Sequence, residues 1–213
     1  MKTFIYGMQS SGASLFTYFI AQGERTYAII DNFNYVVLPP ISDDGQNIVA
    51  KSTVNPDIHI DEHIQSFQPN LKVLVLRHPC QTYASLLAKP YCGDIDRKFI
   101  AMERMFVEQN RFHLVIQYED FVLHPIKVIP QMQNIGFPAQ DWFLSFPRSC
   151  EDIETFNETH PDIASHRQYG FGNIRERAVN PDLAFQSVSP DIEEKLLTLC
   201  PSLCAFYREK YDA

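Results

Sequence analysis

Gly7-Met8-Gln9-Ser10-Ser11-Gly12-Ala13-Ser14 has the glycine spacing of a phosphate-binding loop, G-x-x-x-x-G, with Ala13 where a nucleoside triphosphatase carries lysine. Glycines permit the tight turn, and the amides of Gly12, Ala13 and Ser14 point at an anion beside a helix N-terminus. Ser10, Ser11 and Ser14 add hydroxyl donors. The cation that reaches the outer phosphates of ATP is missing, and no apolar strand ends in an aspartate suited to magnesium. The loop therefore suits an anion other than a magnesium-bound triphosphate. The plainer alternative is a serine-rich turn in which Ser11 only caps a helix. A second group follows the apolar run Leu71 to Leu76, where Arg77 stands at a strand's carboxyl end and Ser85 lies eight residues on. That end of an open α/β sheet is where ligands bind, and two helical turns let Ser85 face the same anion as the guanidinium. The alternative pairs Arg77 with a carboxylate and lets Ser85 merely pack.

Short apolar runs alternating with helical stretches predict βαβ units around a mostly parallel sheet. Strands are expected at Thr3 to Tyr6, Thr26 to Ile30, Asn47 to Ala50, Leu71 to Leu76 and His113 to Gln117. Helices are expected at Ser14 to Ala21, Pro79 to about Lys89, Ile95 to Asn110, Phe121 to Ile135 and Asp191 to Tyr211, with Pro125 and Pro130 bending or resetting the fourth. Phe137 to about Pro190 reads as loop. The chain has no repeat or linker, so residues 1–213 are expected to form one domain.

These segments resemble the sulfotransferases. VLVLRHPCQTYASLL is similar to their 3′-phosphate-binding segment, and GMQSSGASLF to their 5′-phosphosulfate loop. VIQYEDFVLHPIKVIPQMQNIGFP resembles their later strand, Y-E-D and G-x-P segment. HRQYGFGNIRER is like the G-N-x-x-R loop of the bacterial and carbohydrate branch, one residue shorter, and SPDIEEKLLTLCPSLCAFYREKY is like the closing helix. The resemblance implies a three-layer αβα fold with a five-stranded parallel sheet and a P-loop-like strand-loop-helix. It implies 3′-phosphoadenosine 5′-phosphosulfate (PAPS) as donor, no metal, and an acceptor hydroxyl on a small molecule or glycan. By position, Ser10, Ser11, Gly12, Ala13 and Ser14 would cradle the 5′-phosphosulfate. Arg77 and Ser85 would hold the 3′-phosphate, with Arg175, helped by Arg177 or Arg167, closing over it.

The chain departs from that pattern at two catalytic positions. Ser10 stands where the family usually has lysine or arginine, and Thr53 stands where the cytosolic branch has its histidine base. Lys51, in AKST, is the expected leaving-group cation, and Asp31 the expected base, with His59, His63 and Glu24 behind it. Tyr18, Phe33, Tyr35, Tyr91 and Phe171 are candidates to line an acceptor pocket. Two other readings remain: a non-catalytic nucleotide-binding module of the same fold, and a P-loop small-molecule kinase.

Composition narrows the partners. The 213 residues are 45% hydrophobic and 21% charged, with net charge −8, which argues against the broad basic surface of a nucleic-acid binder. It does not exclude a small anion held in a positive cleft. The start MKTFIYGMQSSG lacks a signal-peptide pattern, and no run of 18 apolar residues suggests a membrane span. Five scattered cysteines suit a reducing compartment, so a cytoplasmic location is expected. Cys200 and Cys204 are expected to be buried small hydrophobes rather than a zinc site.

Overall fold

The computed structural model describes residues 1–30, 33, 35–89, 93–165 and 189–211. Five strands, β1 (Lys2–Gly7), β2 (Thr26–Ile29), β3 (Asn47–Thr53), β4 (Leu71–Leu76) and β5 (Leu114–Gln117), form one all-parallel sheet in the order β2-β3-β1-β4-β5. Its strands read as near-continuous apolar runs because both faces are covered. Phe4, Tyr6, Ile48, Ala50 and Leu74 face one core. Ile5, Val49, Val73 and Val75 alternate onto the other.

Helix α1 (Ala13–Ile20) covers the Ile5 face, while α2 (Ile60–Phe67), α3 (Pro79–Leu87) and α4 (Ile95–Val107) cover the Phe4 face. The chain then returns to the Ile5 face with α5 (Tyr118–Leu123) and α6 (Val128–Asn134). Helix α7 (Cys150–Asn157) closes the β2 edge, where Asn157 donates to Ala28 O and accepts from Ala28 N, satisfying an edge strand's backbone. Helix α8 (Pro161–Ala164) follows, and α9 (Pro190–Leu199) and α10 (Pro201–Tyr211) complete the Phe4 face. The protein is thus an αβα sandwich. From β1 the chain crosses on one face towards β2, whereas from β4 it crosses on the other towards β5. The crevice between the carboxyl ends of β1 and β4 is therefore a topological switch point.

Several boundaries differ from the sequence expectation, each for a local reason. Strand β3 runs three residues past Ala50, taking in Lys51 and Thr53, because β1 pairs with it as far as Gly7↔Thr53. The expected helix from Phe121 starts at Tyr118 and comes in pieces. Pro125 opens a 3-10 turn, and Pro130 is the third residue of α6, where no intrahelical amide bond is required of it. Pro201 splits the closing helix in two after Cys200. The stretch expected as loop contains a 3-10 turn at Asp141–Ser145 and α7, whose Ser149 and Asp152 form a reciprocal capping box. Helix α2 was not anticipated; His59 caps it, with Glu62 answering onto the His59 amide.

Candidate functional site

The loop after β1 is held by close packing at its two glycines. A β-carbon on Gly7 would meet Val75 O at 2.7 Å. Gly12 has φ +82° and its β-carbon would collide with the Tyr118 ring, so both conformation and space demand glycine. The first intrahelical bond of α1 runs from Phe16 N to Gly12 O, so the amides of Gly12, Ala13 and Ser14 precede it. Ser11 is buried, and its hydroxyl makes no hydrogen bond to a described residue. Thr82 Oγ1, which lines the same small pocket as Ser11 and Arg77, is in the same condition.

Arg77 leaves β4 and lays its guanidinium over the Tyr118 ring, 4.8 Å from its centroid, while Nη1 donates to Ser10 O at 3.0 Å. Tyr118, the first residue of α5, is thus wedged between Gly12 and Arg77. Its neighbour Glu119 accepts from the His78 amide at 2.8 Å and braces the turn that aims Arg77. Burial pushes the Glu119 carboxyl up, with the His78 amide and the Arg77 charge pulling the other way. Ser85 is half-buried on α3, one turn before Lys89.

Two lysines that sequence reasoning missed reach the loop. Lys89 Nζ donates to Ser10 Oγ at 2.6 Å, and Lys98 Nζ from α4 donates to Gln9 Oε1 at 2.8 Å. Lys51 is 2% exposed on β3, level with Ile5; strand alternation puts it with Val49 and Thr53 on the α1 face. Among the described residues, Lys51, Arg77, Lys89 and Lys98 therefore surround or underlie one loop in a chain of net charge −8. The local field favours an anion.

Beside the loop opens a cleft of about 180 Å³ lined by Gln9, Tyr35, Thr53, Asn55, Asp57 and Lys98. Tyr35, 62% exposed, accepts from Gln9 Nε2 at its rim. Of the other aromatic candidates, Tyr18 stacks on Phe146 and Phe33 lies in the core, so neither lines this cleft. Tyr91 and Phe171 lie outside the described residues, as do Asp31, Arg167, Arg175 and Arg177.

The remaining base candidates stand apart. His63 is buried between sheet and α2: Nδ1 accepts from Leu38 N, and Nε2 meets Ser52 Oγ. His59 is committed to capping, and Glu24 is exposed in the turn before β2, at the opposite end of the sheet. Cys200 and Cys204 are buried with sulfurs 3.7 Å apart, inside the apolar cluster of α4, α9 and α10. The local signal that could have found Lys89 and Lys98 is weak: lysines near helix ends usually face water. Only the folding of α3 and α4 over the switch point turns them to the loop.

No protein-family model matches this chain, and no curated protein matches it. Fold and geometry alone define an α/β protein with a glycine-bounded, cation-ringed loop at the switch point of a parallel sheet. No helix among the described residues is long and apolar enough to cross a membrane.

Proposed function

We propose that the chain is a sulfotransferase that moves a sulfuryl group from PAPS to an acceptor hydroxyl. The observation that carries this reading is the meeting of three separated segments at Tyr118: the loop at Gly12, the β4 arginine, and the Tyr118-Glu119 pair after β5. An adenine nucleotide with anions at two ends needs such a pair of adjoining sites. In the reaction the acceptor oxygen attacks sulfur as the S–O bond to the 5′-phosphate breaks. The electron pair stays on that phosphate, giving adenosine 3′,5′-bisphosphate, and the acceptor's proton passes to a base.

The proposed roles are those that the resemblance implies. The amides of Gly12 to Ser14 and the Ser11 hydroxyl would hold the 5′ anion, and Arg77 with Ser85 the 3′-phosphate. Buried Lys51 would lend positive charge from beneath the loop, worth most where charge develops on the leaving oxygen. The cleft beside Gln9 would admit the acceptor. Asp31 remains the proposed base and Arg175 the proposed closing residue.

Thermal unfolding with added ligand tests the reading. Adenosine 3′,5′-bisphosphate at a hundred times its Kd should stabilise the protein by about 2.7 kcal/mol, and ATP with magnesium should not. Stabilisation by ATP with magnesium alone would replace a sulfotransferase with a kinase. Binding of the bisphosphate without sulfation of any alcohol or glycan in a broad panel would leave a binding module.

A further inference from the structure

Ser10 is the residue at which the loop lacks a cation of its own, and it is also where two cations from another element arrive. Arg77 Nη1, just before α3, donates to its carbonyl, and Lys89 Nζ, just after α3, donates to its hydroxyl. The two ends of one helix thereby grip one loop residue. Ser10 itself has φ +67°, a left-handed conformation that strains a non-glycine residue. Strain of this kind persists where the surroundings over-determine it, and it gathers at functional sites.

We infer that Lys89 is the cation of the 5′ anion site, replacing from α3 the charge that the loop does not carry, and that it acts together with the Ser10 hydroxyl. A serine hydroxyl has one hydrogen to donate and lone pairs to accept. Because Lys89 donates into Ser10 Oγ, the hydroxyl's own hydrogen is left to point elsewhere, and an anion seated on the neighbouring amides is a suitable acceptor. The ammonium polarises that hydroxyl and lies one hydrogen bond from the anion it serves. Ser11, buried beside it with no hydrogen bond to a described residue, supplies a further donor in the same cradle. An oxygen gaining charge as it leaves sulfur would be stabilised by these groups in the transition state more than in the ground state. This inference rests on the donor site proposed above but assigns a residue and a pairing that the loop's own composition does not contain.

The test compares wild type, Lys89→Met, and Lys89→Met combined with Ser10→Lys, which returns the charge to the loop. Two probes report on the 5′ end, inorganic pyrophosphate and adenosine 5′-phosphosulfate, read by calorimetry. Lys89→Met should weaken both by about tenfold, the scale of one charge-assisted hydrogen bond, and the double variant should recover most of the loss. Circular dichroism confirms that each variant is folded. Unchanged affinity for both probes in folded Lys89→Met overturns the inference, as does failure of the double variant to recover any affinity while remaining folded. If pyrophosphate binds in a Lys89-dependent way but adenosine 5′-phosphosulfate does not bind wild type, the role of Lys89 stands and the PAPS reading falls. If wild type binds none of the probes, both fall.

Discussion

At the scale of single residues, the site turns on how Tyr118 separates Gly12 from Arg77. The ring fills the space that a side chain on Gly12 would need and gives the guanidinium a flat, partly dry surface. Arg77→Ala should weaken adenosine 3′,5′-bisphosphate binding by more than tenfold, since a charge-assisted bond contributes about 1.5–3 kcal/mol. Adenosine 5′-phosphosulfate, which lacks the 3′-phosphate, should lose only a few-fold, through the lost support of Ser10 O. Equal losses, measured by calorimetry, would move Arg77 to the 5′ end. The loop and Arg77 were legible in the sequence because their chemistry is local: glycine spacing, serines, and an arginine ending an apolar strand. Lys89 and Lys98 were not, because their meaning depends on where α3 and α4 are laid. His63 misled for the converse reason, since a histidine just after Asp61 and Glu62 reads as solvated until the sheet is placed behind it.

At the scale of elements, the strands were the most legible parts, since an apolar run flanked by turns has few other uses. The boundaries that slipped were those set by partners, as when β3 follows β1 to Thr53, or by prolines whose position within a turn decides whether they break it. The segment after Phe137 was the least legible, because α7 is short and earns its place through one arginine. Arg148 Nη1 donates to Ala21 O, Gly23 O and Thr26 O, closing the carboxyl end of α1 and fixing the start of β2. Its guanidinium also lies over Phe156 of α7, 5.0 Å from the ring centroid. Arg148→Met leaves these carbonyls without their donor and should cost about 1.5–3 kcal/mol in urea unfolding. Bisphosphate affinity of the folded variant should be unchanged, because the loop is at the other end of α1. A stability loss under 0.5 kcal/mol, the ordinary range for surface changes, would mean that water replaces the clamp without penalty.

At the scale of the whole molecule, the same His63 that fails as a base joins separate parts of the chain. Its Nδ1 accepts from Leu38 N, so the ring proton sits on Nε2, beside Ser52 Oγ, which in turn donates to Phe33 O. The network ties Phe33 and Leu38 to β3 and α2 and packs the ring against Phe4 and Tyr6. Burial lowers its pKa from 6.5 to about 4, with Glu62 opposing more weakly. A histidine with a depressed folded pKa binds its proton more readily in the unfolded chain. Its contribution is therefore fully present above pH 6.5 and is lost as the pH falls towards 4. Between pH 7 and pH 5 the wild type should lose about 2 kcal/mol on this account, at 1.36 kcal/mol per pH unit below 6.5. His63→Phe, which keeps a ring in the pocket but cannot titrate, should be less stable at pH 7 because Leu38 N and Ser52 lose a partner. Its stability should fall less steeply with acid, so the two urea-unfolding curves of stability against pH should converge towards pH 5. Parallel curves over that range would show that His63 carries the same proton in both states and that acid sensitivity arises elsewhere.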